Sequence, residues 1–107
     1  MKLTGKCKED FEKWYFKQKT LPKEFGTLSI DSFYLLSLSM QYGVYVDFFD
    51  SVGIKVYVSY NDVAHKWNWF IDFNPVRDDV YGFPEFSLHE ARTKAIEKAN
   101  ESYNQNH

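Results

Sequence analysis

Asp47 and Asp50 stand three residues apart in an apolar helical stretch, a spacing that sets two carboxylates on one side of a helix. With Asp72, Asp78 and Asp79 they make an acidic set from which a divalent-metal nuclease could be imagined. That chemistry also needs a group to activate water, and no lysine or histidine is placed beside them; acids on the solvated edge of a helix or turn are ordinary. His65, His89 and His107 fall on the hairpin loop, the first turn of the last helix and the terminus, with no zinc-site spacing. Cys7, the single cysteine, permits no internal disulfide, and its place on the apolar side of a helix makes it a small core residue. There is no glycine-rich phosphate loop, nucleophile elbow or paired cysteine and histidine. The expectation is a non-enzymatic protein without cofactor, Asp47 and Asp50 being the residual metal candidates.

The aromatic content is the stronger signal. Three Trp, eight Tyr and ten Phe make 20% of the chain, more than a core of this size easily hides. Tyr57 and Phe70 are predicted on the outer face of a hairpin, and Tyr81, Phe83 and Phe86 follow it. Exposed rings clustered in this way suit a partner surface or a stacking site for a nucleobase, because a ring offers large contact area at small entropic cost. Cover by the last helix or a third strand is the other reading. Met40, Val44 and Phe48, on one stripe of the central helix, form a second candidate interface.

The 107 residues suit one domain, 1–107, burying roughly two-thirds of its unfolded surface. A net charge of −2 disfavours general DNA or RNA binding. The charge is uneven: residues 1–24 hold seven Lys and four acids, while residues 25–90 hold three basic and nine acidic residues. The beginning of the chain lacks the apolar run of a signal peptide, and no stretch has the roughly 18 uninterrupted apolar residues of a membrane span. A cytoplasmic protein without membrane contact is expected.

These residues must be positioned by a small α+β domain of order α-α-β-β-(β)-α, an antiparallel hairpin packed against helices. Leu3, Cys7, Phe11, Trp14 and Tyr15 make the apolar stripe of a first helix from Thr4 to about Gln18, with Leu21-Pro22 ending it. Leu38, Tyr42, Tyr45, Phe49 and Val52 stripe a central helix that Ser37 or Ser39 caps and Gly53 ends. Residues 30–36 offer a separate helical turn. With Met40, Val44 and Phe48 also apolar, that central helix should be buried on two sides.

Ile54–Tyr60 and Lys66–Phe73 each alternate strictly, and the turn-prone Asn61-Asp62 lies between them. Pairing Ile54 with Phe73, Val56 with Ile71, Val58 with Trp69 and Tyr60 with Trp67 gathers eight large side chains on one face. The same register sets Tyr57 beside Phe70, Ser59 beside Asn68 and Lys55 beside Asp72. A third, irregular edge strand is placed around 76–81. Ser87-Leu88-His89-Glu90 is a capping box opening a last helix along Leu88, Ala91, Ala95, Ala99 and Tyr103, with a frayed tail at about 104–107.

SMQYGVYVDFFDSVGI and FSLHEARTKAIEKANESYNQ together resemble short proteins of phages and prophages from gut Bacteroidetes-type hosts, which share the capping residue, the EA step and an AIEKANE-like helix followed by Tyr-Asn. The group carries no established activity or site residues. The resemblance implies a phage or prophage accessory protein that binds a host protein or a small nucleotide ligand, with inhibition of host defence as one such role. The alternative is a self-associating structural or assembly protein; a metal-dependent nuclease on the acidic cluster ranks below both. The two apolar surfaces together imply a homodimer. A topological likeness to double-stranded RNA-binding domains fails at the last helix, where Leu88-His89-Glu90-Ala91 replaces the basic cluster those domains use.

Overall fold

The computed structural model describes residues 1–17, 30–73, 80–81 and 84–106. Helices α1 (Gly5–Lys17), α2 (Ile30–Tyr34) and α3 (Leu38–Ser51) precede strands β1 (Ile54–Asn61), β2 (Lys66–Phe73) and β3 (Val80–Tyr81), and α4 (Leu88–Asn106) closes the domain. This is the expected α+β domain, with residues 30–34 as a separate short helix.

The alternation of the hairpin fixes the sheet. β1 and β2 pair antiparallel in the deduced register, from Ile54 opposite Phe73 to Asn61 opposite Lys66. The Asn61 side chain holds the turn by accepting from the Val63 and Ala64 N–H groups at 3.0 and 3.1 Å, and His65 completes it at φ 52°. β3 adds to β2 through Phe70 opposite Tyr81 and Ile71 opposite Val80, and Trp67 bridges to Glu85 farther along. Of the third strand expected at 76–81, residues 76–79 lie outside the described residues.

α3 and α4 pack on the inner sheet face, over Ile54, Val56, Trp69 and Ile71. Phe11 sits amid the helical part of the core, its ring 5.2 Å from Phe33, 5.0 Å from Tyr45 and 5.5 Å from Phe48. Phe48 continues the cluster to Trp14, Phe49 and Tyr103. Much of the aromatic excess is therefore consumed inside.

Ser37 caps α3, accepting from the Met40 N–H, and Gly53 leaves the helix at φ 84°, a left-handed turn that feeds β1 directly. The buried seam of α3 runs through Gln41, Tyr45, Phe48 and Phe49, not through Leu38 and Val52, and the helix is not buried on two sides. The reason is polar. Gln41 turns inward because its side-chain amide donates to the Tyr34 and Leu36 carbonyls, which the end of α2 leaves unpaired. Ser87 caps α4 as expected, accepting from the Glu90 N–H at 3.0 Å.

The expected frayed tail is corrected. α4 stays helical through Asn106, held by a polar clasp to α1. Asn104 accepts from the Cys7 N–H at 2.8 Å and donates to the Thr4 carbonyl, while Asn100 accepts from the Thr4 N–H and donates to its hydroxyl. The bonds to the Thr4 and Cys7 N–H groups satisfy donors at the start of α1 that no helix can satisfy by itself, while the Thr4 carbonyl also accepts from the Lys8 N–H. Gly5 allows the approach: its φ is 61°, and a Cβ there would meet the Asn104 side chain at 3.2 Å.

Candidate interaction surface

Alternation sends Lys55, Tyr57 and Ser59 of β1 and Asn68, Phe70 and Asp72 of β2 to the outer face of the sheet, opposite α3 and α4. Tyr57 and Phe70, direct cross-strand partners, stack with centroids 4.9 Å apart and planes 16° apart. Tyr57 remains 45% exposed and Phe70 is half-buried. The backbone of Tyr81 lies opposite Phe70; its side chain, and all of Phe83, lie outside the described residues. Phe86 is 78% exposed, and the Lys66 ammonium sits 4.8 Å from its ring centroid. The outer face thus carries exposed aromatic area between two lysines, Lys55 and Lys66, chemistry that suits contact with a second surface.

The second candidate surface divides. Met40 is 58% exposed and Val44 half-buried, beside a link in which Arg92 donates to Ser39 and covers the Tyr42 ring at 5.1 Å. Phe48 is corrected to a core residue, 1% exposed. Asp47 and Asp50 lie exposed on α3. Among the described residues, no group of three or more His, Cys, Asp or Glu is placed to hold a metal ion. His65 reaches the Tyr60 hydroxyl at 3.4 Å and His89 is exposed at the start of α4.

Burial sets the state of the inner groups. It pushes the Cys7 thiol up to about 12, with the Asp10 charge adding to the effect, so Cys7 is a protonated core residue. Tyr103 donates to Asp10 at 2.5 Å, and that bond, chiefly, holds the Asp10 carboxyl below its ordinary value; Lys6 adds an ion pair at 3.1 Å. Burial, with the same aspartate adding to it, raises the Tyr103 phenol. Sequence reasoning missed Asn100, Asn104, Gln41 and Asp10. The available signal was Asn100, four residues after Ile96 and three before Tyr103, on the apolar side of α4 where a surface-only amide is out of place, with Asn104 one turn farther on.

Comparison with protein-family models, with curated proteins and with solved structures finds no match to this chain. Among the described residues, no helix is long and apolar enough to cross a membrane.

Proposed function

We propose that this chain is a non-enzymatic binding protein of phage or prophage origin that works as a homodimer in the host cytoplasm. It engages a host protein through the outer sheet face, with inhibition of host defence as the role this extends to. The observation that carries the reading is the exposure of two aromatic side chains, Tyr57 stacked on Phe70 across the outer sheet face and Phe86 beside Lys66. An aromatic patch with a charged rim is the usual anatomy of a protein contact. A nucleotide ligand has one feature in its favour, the cation and ring of Lys66 and Phe86, which together match a phosphate and a base.

The test compares tagged wild type with a Tyr57→Ser/Phe86→Ser variant in host lysate, after circular dichroism shows equal folding. A host protein captured by wild type and lost by the variant, and bound again when purified, supports the reading. Equal capture by both contradicts it. Calorimetric titration with nucleotides that shows binding abolished by Lys66→Ala would replace the protein partner with the nucleotide.

A further inference from the structure

The hydrogen bonds of one residue reveal which backbone groups of β1 have no strand to pair with among the described residues. Trp67 donates its N–H to the Glu85 carbonyl and accepts from the Glu85 N–H, both at 2.8 Å. A residue in an extended strand aims both groups to the same side, so Trp67 has neither left for Tyr60, its partner across the hairpin. Antiparallel pairs alternate between bonded and unbonded, and therefore Tyr57 with Phe70 and Ser59 with Asn68 are the bonded pairs. Val56, Val58 and Tyr60 aim their N–H and C=O groups away from the sheet. Val56 is 5% exposed and thus covered, whereas Val58 is half-buried and Tyr60 is 44% exposed.

The open edge begins at Val58. On the inner face the same stretch is apolar and only partly covered: Val58 and Trp67 pack against the rim of the core, and Tyr60 lies beyond them against Trp67 at 5.0 Å. The two edges of the sheet differ in protection. β3 is two residues long with Pro84 after it, but β1 runs for eight residues with no proline or glycine and Lys55 as its one charge. Short strands, prolines and charges are the usual defences against pairing, and β1 lacks most of them.

We propose that the homodimer forms along this open edge, Val58 and Tyr60 of one protomer pairing antiparallel with Tyr60 and Val58 of a second copy. The inference rests on the dimer reading given above and names its seam. The occupant is a second copy because the open residues complement themselves. A two-fold axis at Ser59 lets each Val58 exchange both backbone bonds with a Tyr60, sets Tyr57 opposite Asn61, and leaves Lys55 outside the paired stretch. The two sheets become one, and Val58 and Tyr60 of each protomer cover one another on the inner face.

Light scattering coupled to size exclusion, across the micromolar range, tests this. Wild type is expected at twice 12.7 kDa. Ser59→Lys and Ser59→Asp, which place like charges opposite one another at the axis, are each expected at 12.7 kDa, and an equimolar mixture should return to the doubled mass. Val58→Pro removes only a donor aimed off the sheet, so it should give a monomer with unchanged circular dichroism. If Val58→Pro fails to fold, the charge pair alone decides. A monomeric wild type overturns both the dimer reading and the seam. A dimer that persists in both Ser59 variants overturns the seam and leaves the dimer reading standing. Recovery of a monomeric wild type with a foreign strand on the β1 edge would overturn the choice of a second copy.

Discussion

The two ends of this domain treat their side chains in opposite ways. Where α1 meets α4, polar groups are consumed internally: Asn100 and Asn104 hold the first turn of α1, and Asp10 takes the Tyr103 hydroxyl. In the distal hairpin Tyr57 and Tyr60 stay exposed, as does Phe86 beside Lys66. Polar residues that the sequence pattern does not single out thus serve the fold, and some of the aromatic residues stay at the surface. The stretch AIEKANESYN carries residues of the clasp, so those residues have a structural reason to be there.

If the contrast is right, core and surface rings should separate in stability. Phe11→Ala should cost about 3 to 5 kcal/mol in urea unfolding, because it empties the centre of the aromatic cluster. Phe86→Ala should stay within about 0.5 kcal/mol of wild type, as exposed substitutions usually do. Equal losses would erase the distinction between the ends.

The clasp comes next in size. Asn104→Ala leaves the Cys7 N–H without its Asn104 acceptor and takes one of two donors from the Thr4 carbonyl, which keeps the Lys8 N–H, and should cost about 1 to 2 kcal/mol. Thiol labelling of Cys7 should speed up in the same variant, because the buried, protonated thiol reacts only when this end opens. Unchanged stability and labelling would mean that α4 is held by its apolar face alone.

How much of this was legible depends on the range of the interaction. The hairpin register could be read because each strand alternates strictly and a slip of one residue would expose Val56 and Ile71. The Ser37 and Ser87 caps were legible because capping is local. The phase of α3 was not, since apolar residues on both of its sides leave rotation undetermined, and Gln41 settles it through carbonyls of another helix. The clasp joins residues 96 to 100 positions apart, beyond any periodicity. For the surface, the expected exposure of Tyr57 and Phe86 is found, whereas Phe48, expected at a surface of the central helix, is buried through the same error of helix phase.

A smaller effect sharpens the comparison through pH. Asp10 is lowered in the folded state, so its contribution is present above the unfolded carboxylate value of about 3.9 and is lost as pH falls through the folded one. Urea unfolding between pH 6 and pH 3, on the order of the range this linkage spans, should show a decline in stability that flattens in Tyr103→Phe. An identical slope in the variant would remove the Tyr103 bond as its cause.

The central claim, that the distal hairpin keeps an unspent edge which a second copy fills, is tested most directly by residue-resolved amide hydrogen exchange at low and high protein concentration. The Tyr57 and Ser59 amides, bonded to β2, should be protected at both. Those of Val58 and Tyr60 should exchange freely when dilute and become protected as concentration rises. Val58 and Tyr60 amides that exchange at the same rate at every concentration would contradict the account.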